Sequence, residues 1–171
     1  PFFRGKNNKS EVLIPVAQVV YSTDTSSLKR SSDEDSSTTE FDSTTLFKLR
    51  KIPGIDRQEN GVRLNAGLQY FYEYKNNYKY NVNLGQVYRN KNSEDFLPSS
   101  GLNGFESDIL LSGNLSFGSD LELSSKHVYS KNFNLKRSNT SLKLTKPRYQ
   151  IKTSLTNLVS DPSEGTSTDL K

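Results

Sequence analysis

The chain has 171 residues and a formal net charge of +4, and 32% of its residues are hydrophobic, with a mean hydropathy of -0.74. No run approaches the roughly 18 consecutive apolar residues of a membrane-spanning helix, and the Lys and Arg residues form no stripe of the kind that binds nucleic acid. With no cysteine and one histidine, His127, the composition excludes a disulfide scaffold, a thiol nucleophile and a multi-histidine metal site within the chain.

The first predicted elements are a strand and a long connection. Residues 11–22 are rich in Val and Ile, which is typical of a strand. The connection at residues 23–60 begins with Ser, Thr and Asp and then contains a cluster of apolar side chains. Such residues in a long connection indicate that it packs against the protein; a partly ordered loop with incidental hydrophobic residues is the alternative. We expect packing at Phe41, Asp42, Leu46, Phe47, Pro53, Gly54, Ile55, Asp56 and Arg57.

A strand of unusual regularity is predicted at residues 61–75. Its even positions, from Val62 to Tyr74, are apolar or tyrosine, whereas its odd positions are mostly polar. Since successive side chains of a strand point to opposite faces, one face is apolar throughout and ends in tyrosines. At about 3.3 Å per residue the strand is roughly 50 Å long, whereas strands of globular proteins usually have about 5–6 residues. The pattern is typical of an outer-membrane barrel, with lipid on one side, an aromatic girdle at the interface and a wet lumen on the other.

Further strands are predicted along the rest of the chain, at residues 78–90, 105–117, 121–130, 133–145 and 149–159. We therefore predict an all-β fold, an antiparallel up-and-down meander of about seven long strands that is part of a large outer-membrane β-barrel. As a fragment, these strands would make a curved open sheet and not a closed barrel.

Alternation along these strands assigns side chains to the two walls of a barrel. The candidates for the lumen are polar: Arg63, Asn65, Gln69, Glu73, Lys79, Asn81, Asn83 and Arg89. The candidates for the lipid are apolar or aromatic: Val62, Leu64, Leu68, Tyr70, Tyr72, Tyr80, Val82, Leu84, Ile109, Leu111 and Leu115.

The lengths of the connections predict their side of the membrane. Tight turns at Asn76-Asn77, residues 118–120 and Pro147 alternate with connections that are mostly longer, at residues 23–60, 91–104 and 160–171, apart from a short link at residues 131–132. Outer-membrane barrels have short periplasmic turns and long extracellular loops. We expect the tight turns to lie in the periplasm and the longer connections outside the cell.

The sequence shows no recognisable catalytic or metal-binding motif. Residues 33–35 are acidic but lack the spacing of a calcium-binding EF-hand, so a solvated loop is the better interpretation. His127 follows the alternation of its own strand and has no partner of a metal-binding type. No nucleophile elbow, phosphate loop or paired-carboxylate spacing stands out. We expect no catalytic residue, no metal, no cofactor and no enzymatic activity.

Several short motifs occur in a distinctive order. They are Ile14-Pro15-Val16-Ala17-Gln18-Val19-Val20, Glu34-Asp35-Ser36, Glu40-Phe41-Asp42, Leu46-Phe47, Pro53-Gly54-Ile55-Asp56-Arg57, Gly61-Val62-Arg63 with Gly67-Leu68, and Gly85-Gln86-Val87-Tyr88-Arg89. In this order and spacing they resemble the lipopolysaccharide-assembly family of outer-membrane proteins, LptD (OstA). The resemblance spans most of residues 11–160 and is densest at residues 14–68. The chain departs from the family where Ile14 replaces an acid before Pro15, and where Thr45 replaces the common Asn.

The resemblance implies an internal segment of a C-terminal barrel. Residues 1–171 would be a partial barrel with an extracellular loop at 23–60, and the parent's signal peptide, periplasmic domain and remaining strands would lie outside the segment. It also implies insertion of lipopolysaccharide into the outer leaflet of a Gram-negative outer membrane. The implied partners are lipopolysaccharide, outer-membrane lipids, a lipoprotein plug similar to LptE and a periplasmic bridge similar to LptA, and no nucleic acid. A segment of a porin or receptor barrel, or a soluble β-sandwich adhesin, is the alternative.

Overall fold

The described part of the chain forms a single sheet. The computed structural model describes residues 1–6, 8–23, 41–42, 45–49, 51, 61–75, 77–92, 96 and 100–159. Eight antiparallel strands form an open sheet in which each strand pairs with its neighbours in the chain. They are β1 (Phe2–Lys6), β2 (Lys9–Ser22), β3 (Gly61–Tyr74), β4 (Tyr78–Arg89), β5 (Ile109–Phe117), β6 (Leu121–Tyr129), β7 (Leu135–Lys146) and β8 (Tyr149–Leu158). No helix among these residues is long and apolar enough to cross a membrane.

The predicted all-β, up-and-down architecture is confirmed, with eight strands where the sequence predicts about seven. The additional strand is β1, which pairs with β2 from Phe2↔Leu13 to Lys6↔Lys9. Its five residues are too short and too irregular to give an alternating signal. Pairing with the much longer β2 is therefore what makes this segment a strand.

Strand register separates the residues into two faces. β3 pairs with β2 from Lys9↔Tyr74 to Ser22↔Gly61 and with β4 from Arg63↔Arg89 to Tyr74↔Tyr78. Directly opposed residues point to the same side of a sheet. We call the side that carries the odd residues of β3 and β4 the inner face, and the opposite side the outer face. By continued pairing, the even residues of β5 and β6 lie on the inner face.

The start of β5 differs from the prediction of a strand at residues 105–117. The strand begins at Ile109, and Glu106 forms only an isolated bridge with Tyr88. The Ser107 hydroxyl accepts a hydrogen bond from the Val87 backbone N–H at 2.9 Å, and a positive φ of 88° at Gly104 turns the chain before it. Backbone bonds still join this segment to β4, from the Ser107 N–H to the Val87 carbonyl at 2.8 Å and from the Arg89 N–H to the Phe105 carbonyl at 2.7 Å. The Ser107 hydroxyl, however, accepts from the Val87 N–H in place of a backbone carbonyl, so the regular ladder begins only at Ile109.

The connections fall at two ends of the sheet. The tight turns after β1, β3, β5 and β7 share the turn end, and the connections after β2, β4 and β6 share the loop end. Backbone hydrogen bonds join neighbouring turns, from the Gly118 N–H to the Asn77 carbonyl at 2.5 Å and from the Lys75 N–H to the Asn8 carbonyl at 2.9 Å. The turn end is thus a continuous rim.

The buried apolar residues lie near the loop end of the inner face. They are Phe41, Leu46, Val87, Phe96, Leu102, Leu110 and Val128. Phe41 and Leu46 belong to the connection between β2 and β3, while Phe96 and Leu102 belong to the connection between β4 and β5. The core therefore forms between the sheet and its own connections.

Candidate functional site

A segment of the first long connection packs on the inner face. Its described residues are 41–42, 45–49 and 51, and we call it the docked segment. The Asp42 N–H donates to Thr45 Oγ1 at 2.9 Å, and the Thr45 N–H donates to Asp42 Oδ1 at 2.8 Å. Such reciprocal bonds between side chains and backbone N–H groups are typical of a capping box. A single turn at residues 45–47 follows them. Of the residues expected to pack in this connection, Pro53, Gly54, Ile55, Asp56 and Arg57 lie outside the described residues.

Two glycines shape the inner face beneath the docked segment. Gly67 and Gly85 are register partners in β3 and β4. A Cβ atom at Gly67 would lie 2.9 Å from Phe47 Cζ, and a Cβ atom at Gly85 would overlap the Leu46 side chain. Leu46 is 2% exposed, and Phe47 is partly buried against the same core. The two glycines therefore make a notch that Leu46 and Phe47 fill.

Lys51 forms hydrogen bonds with backbone carbonyl groups of this turn. Its ammonium donates to the Thr45 carbonyl at 3.0 Å and to the Leu46 carbonyl at 2.5 Å. A lysine side chain commonly bonds to the last carbonyl groups of a helical turn, and here the Thr45 carbonyl also accepts from the Lys48 backbone N–H at 3.2 Å. Lys51 is 3% exposed. Burial, followed by the charges of Arg63 and Arg89, lowers the pKa of Lys51 to about 7.

Two residues predicted to face the lumen are buried on the inner face. Arg63 is 5% exposed, and its Nη2 donates to the Lys48 carbonyl at 3.1 Å and to the Leu49 carbonyl. Asn65 is fully buried and donates through Nδ2 to Gln18 Oε1 at 2.6 Å. Both residues lie on the inner face, where they contact protein groups of the docked segment and of β2.

The first residues of the docked segment contact strands β6 and β7 on the same inner face. The Phe41 carbonyl accepts a hydrogen bond from Arg137 Nη2 of β7 at 3.1 Å. Asp42 Oδ2 lies 3.6 Å from Lys126 Nζ of β6. The Phe41 side chain, 1% exposed, belongs to the buried core. Polar and apolar contacts thus hold the segment across the inner face from β3 to β7.

The connection between β4 and β5 covers the neighbouring surface. Phe96 and Leu102 are buried in the core, and the Arg89 guanidinium lies 5.3 Å from the centre of the Phe96 ring. Asp108 Oδ2 lies 3.0 Å from Lys136 Nζ. Burial raises the pKa of Asp108, and the hydrogen bond and charge of Lys136 oppose that effect. The loop end of the inner face is therefore filled by apolar side chains with cations at their margins.

Towards the turn end the inner face is polar. Its side chains bond across the strands: Asn83 Nδ2 to Ser112 Oγ at 3.5 Å, Asn114 Nδ2 to Asn81 Oδ1 at 3.3 Å, Ser124 Oγ to Ser141 Oγ at 2.7 Å, and Asn139 Nδ2 to Thr156 Oγ1 at 2.9 Å. Glu73 and Lys79 add an ion pair at 3.4 Å. By register, the predicted lumen-facing residues share this face: Arg63, Asn65, Gln69, Glu73, Lys79, Asn81, Asn83 and Arg89.

The predicted lipid-facing residues share the outer face by register: Val62, Leu64, Leu68, Tyr70, Tyr72, Tyr80, Val82, Leu84, Ile109, Leu111 and Leu115. Leu68 and Leu84, for example, are 39% and 43% exposed. Aromatic rings gather near the turn end, with Tyr74 stacked on Tyr78 at 6.2 Å and Tyr78 edge-on to Phe117 at 5.4 Å. The outer face is thus an apolar surface with an aromatic border.

Sequence reasoning missed an apolar patch on the inner face of β2. Val12, Ile14 and Val16 lie there, because their register partners are Phe71, Gln69 and Gly67. Leu13 and Ala17 of the same strand lie on the outer face. Because β2 is apolar on both faces, its sequence has no alternation from which the two faces could be assigned. Only the pairing with β3 separates its faces. The contacts of Lys126 and Arg137 with the docked segment were missed too, because no sequence signal links residues so far apart. The burial of Lys51 within the segment was also missed, because it depends on the packing of that segment on the sheet.

The candidate site is the inner face of the sheet together with the docked segment that packs on it. Within the described residues, no group of three or more His, Cys, Asp or Glu side chains could hold a metal ion. The inner face offers hydroxyl, amide and cationic groups, and the outer face offers apolar ones. The fold and the site therefore define an antiparallel meander with two chemically different walls.

The family model LptD, LPS transport system D, matches residues 2–171. The chain belongs to this family, and the family predicted from the sequence is confirmed. LptD is a transport family and not a family of enzymes, so the role of the chain lies in lipopolysaccharide transport. Comparison with individually curated proteins gives no match.

Proposed function

We propose that the chain is a wall segment of the translocon that inserts lipopolysaccharide into the outer leaflet of the outer membrane in a Gram-negative bacterium. The observation that carries the proposal is the two-faced sheet, apolar on its outer face and polar on its inner face, in a chain of the LptD family. An apolar band towards lipid and a polar interior are the properties of an outer-membrane barrel.

The outer face meets lipid in this proposal. Removing a large apolar side chain from water stabilises a protein by about 1.5–3 kcal/mol of free energy. The exposed Leu68, Leu84 and their neighbours would therefore be unfavourable on a surface that faces water. The aromatic border formed by Tyr74, Tyr78 and Phe117 would lie at the membrane interface, where aromatic girdles occur. The turn end would then face the periplasm and the loop end the outside of the cell.

The sheet is proposed to continue into a larger barrel. Among the described strands, β1 and β8 each pair on one side only. Open sheet edges are not tolerated in the hydrocarbon region of a membrane, so further strands of the parent protein would pair with β1 and β8. Residues 1–171 would form a partial barrel with the connection at 23–60 outside the cell, and the periplasmic domain and remaining strands would lie elsewhere in the parent.

The docked segment would narrow the extracellular mouth of the barrel. It covers the inner face from β3 to β7 near the loop end, whereas the inner face towards the turn end carries polar groups such as the exposed Glu73 and Lys79. Lipopolysaccharide would enter from the periplasmic side, delivered by a bridge protein similar to LptA. A lipoprotein plug similar to LptE would occupy the interior of the parent barrel and contact its polar wall.

The test is depletion of the parent protein in its own host. Newly made lipopolysaccharide on the cell surface is measured with an impermeant antibody, with total lipopolysaccharide and an unrelated barrel protein as controls. We expect surface lipopolysaccharide to fall while both controls stay constant, and the parent gene to restore it. Normal lipopolysaccharide display, combined with lost uptake of a small solute, would instead identify a porin or a receptor.

A further inference from the structure

A group of polar side chains interrupts the apolar outer face between β6 and β7. Ser125 and His127 are odd residues of β6, and their register partners on β7 are Thr140 and Ser138. Ser125 Oγ lies 2.7 Å from His127 Nε2 and 3.0 Å from Thr140 Oγ1. Polar groups that face the hydrocarbon of a membrane are unfavourable unless they are paired. These four residues, which we call the outer polar cluster, therefore point to a contact other than plain hydrocarbon.

An apolar groove of about 280 Å³ lies beside the outer polar cluster, and Ser125 and His127 line one side of it. Gly113 lies in the groove, between its register partners Val82 on β4 and Ser125 on β6. A Cβ atom at Gly113 would meet nothing closer than the Asn81 carbonyl oxygen at 3.5 Å, so no described side chain fills the space over the glycine. The other side chains of the groove are large and mostly apolar: Tyr80, Val82, Leu111, Leu115 and Leu123.

The outer polar cluster keeps a hydrogen-bond donor for a ligand. His127 Nδ1 is enclosed and has no hydrogen-bond partner among the described residues. Because buried N–H groups without a partner are rare, we place the imidazole proton on Nε2, which donates to Ser125 Oγ. Ser125 and Thr140 share one further bond, and whichever of them donates it, the other hydroxyl retains its proton. One hydroxyl of this pair is therefore available to donate to a ligand at the edge of the groove.

Strand geometry gives the height of the outer polar cluster on the wall. Tyr88 and Tyr129 lie on the outer face near the loop end, opposite the aromatic border at the turn end. In the proposed function they lie at the outer interface of the membrane. His127 and Ser125 are two and four residues from Tyr129 along β6. At about 3.3 Å per residue and a strand tilt of about 40°, they lie roughly 5–10 Å below that interface, beside the upper part of the outer-leaflet acyl chains.

We propose that this groove binds an acyl chain of lipopolysaccharide that carries a hydroxyl group near its head. The chain packs over Gly113, and its hydroxyl bonds to the pair of Ser125 and Thr140. A plain hydrocarbon chain would fill the groove but leave the available hydroxyl donor unpaired, which is unfavourable in an apolar environment. The proposal rests on the function proposed above, in which lipopolysaccharide is the lipid that reaches the outer leaflet. It assigns a lipid site to the membrane side of the sheet, on the face opposite the docked segment.

The test uses the full-length parent, folded into phospholipid vesicles that contain a minor fraction of lipopolysaccharide. A photo-reactive amino acid replaces Leu142, the register partner of Leu123 on the outer face, and in a second protein it replaces Leu68 on β3. The two positions are matched, because Leu142 and Leu68 are each 39% exposed. Lipopolysaccharide adducts should be more abundant at position 142 than at position 68. G113L, which fills the groove, should make the two positions equal.

A second variant removes the hydrogen bond but keeps the groove. T140V has nearly the shape of the original side chain without its hydroxyl, and it should reduce the excess of adducts at position 142 about fivefold. The matched control is T153V, which removes a hydroxyl from the same face outside the outer polar cluster and should leave the excess unchanged. Heat-modifiable migration on gels confirms that each variant is a folded barrel. Equal effects of T140V and T153V would overturn the role of the cluster.

Altered lipids test the recognition of the hydroxyl group. Lipopolysaccharide whose acyl chains lack hydroxyl groups should show the same reduced excess as T140V, and an undiminished excess would contradict recognition of the hydroxyl. Equal adducts at positions 142 and 68 in the unaltered protein would reject the groove alone, since both positions would still face lipid. Absence of lipid adducts at both positions would reject the lipid-facing wall of the proposed function. An adduct of protein size at position 142 in native membranes would replace the lipid by a protein partner.

Discussion

Gly67 and Gly85 oppose each other across β3 and β4, and Phe47 and Leu46 occupy the space where their side chains would lie. Glycine weakens the interior of a strand but also permits the close approach of another group. Here that group is the docked segment, which packs directly against the bare backbone of the inner face. The two glycines therefore connect the sequence of the strands to the position of a connection.

The first prediction concerns this notch. In the parent barrel, G85A should weaken docking by about 1–3 kcal/mol, the usual cost of overpacking a core. Hydrogen exchange of residues 45–49 measures the effect and should become faster. The control is G113A on the outer face, where the nearest atom to an added Cβ is the Asn81 carbonyl oxygen at an ordinary 3.5 Å. Equal exchange in the two variants would contradict the role of the notch.

The second prediction separates the two walls. L68R places a charge on the outer face and should destabilise the parent barrel by about 2–4 kcal/mol if this position is near the membrane midplane. Q69R places the same charge on the inner face and should cost much less. Refolding titrations of both variants in lipid provide the comparison. Equal costs at neighbouring positions would mean that the faces do not differ in their contact with lipid.

Period-two alternation made the fold predictable but not the docking of the connection. Leu68 and Gln69 belong to a pattern that two adjacent strands repeat, so the strands and their pairing follow from the residues themselves. The burial of Arg63 depends instead on residues 48 and 49, which approach it through the tertiary fold. The inner face of β2 could not be predicted from the sequence for a related reason. A strand that is apolar on both faces shows no period-two alternation.

The third prediction concerns the barrier at the cell surface. F47D places a carboxylate beside Gly67 and Leu46 in the apolar notch, where an unpaired charge is strongly unfavourable. The docked segment should leave the inner face, and cells that carry the variant parent should become sensitive to large antibiotics. The matched variant L49D changes a residue that is 71% exposed and should have no effect. Unchanged sensitivity of F47D cells at normal barrel levels would exclude a gating role for the segment.

The fourth prediction concerns sidedness. The tight turns lie at one end of the sheet and the longer connections at the other, and short turns are periplasmic in known outer-membrane barrels. Cysteines introduced as L49C and S119C in the parent are treated on whole cells with an impermeant thiol reagent. Position 49 should react and position 119 should not, unless the outer membrane is first permeabilised. Labelling at position 119 alone would invert the topology.

The last prediction uses the buried ammonium of Lys51. Its pKa is about 7 when the segment is docked, compared with 10.5 for an ordinary lysine. Between these values the undocked state binds a proton that the docked state lacks, so docking should strengthen as pH rises from about 7 towards 10. Below about pH 7 both states are protonated, and this contribution to the pH dependence ends.

The measurement is the mobility of a spin label attached through L49C in the folded parent barrel, recorded from pH 6 to pH 10. The mobile fraction should decrease as pH rises, because deprotonated Lys51 no longer carries a charge into the core. K51M should abolish this pH dependence, since methionine fills similar space without a titratable group. K48M removes an exposed lysine from the same segment and should preserve it. An unchanged pH dependence in K51M would assign the effect to another group and contradict the burial of a titrating Lys51.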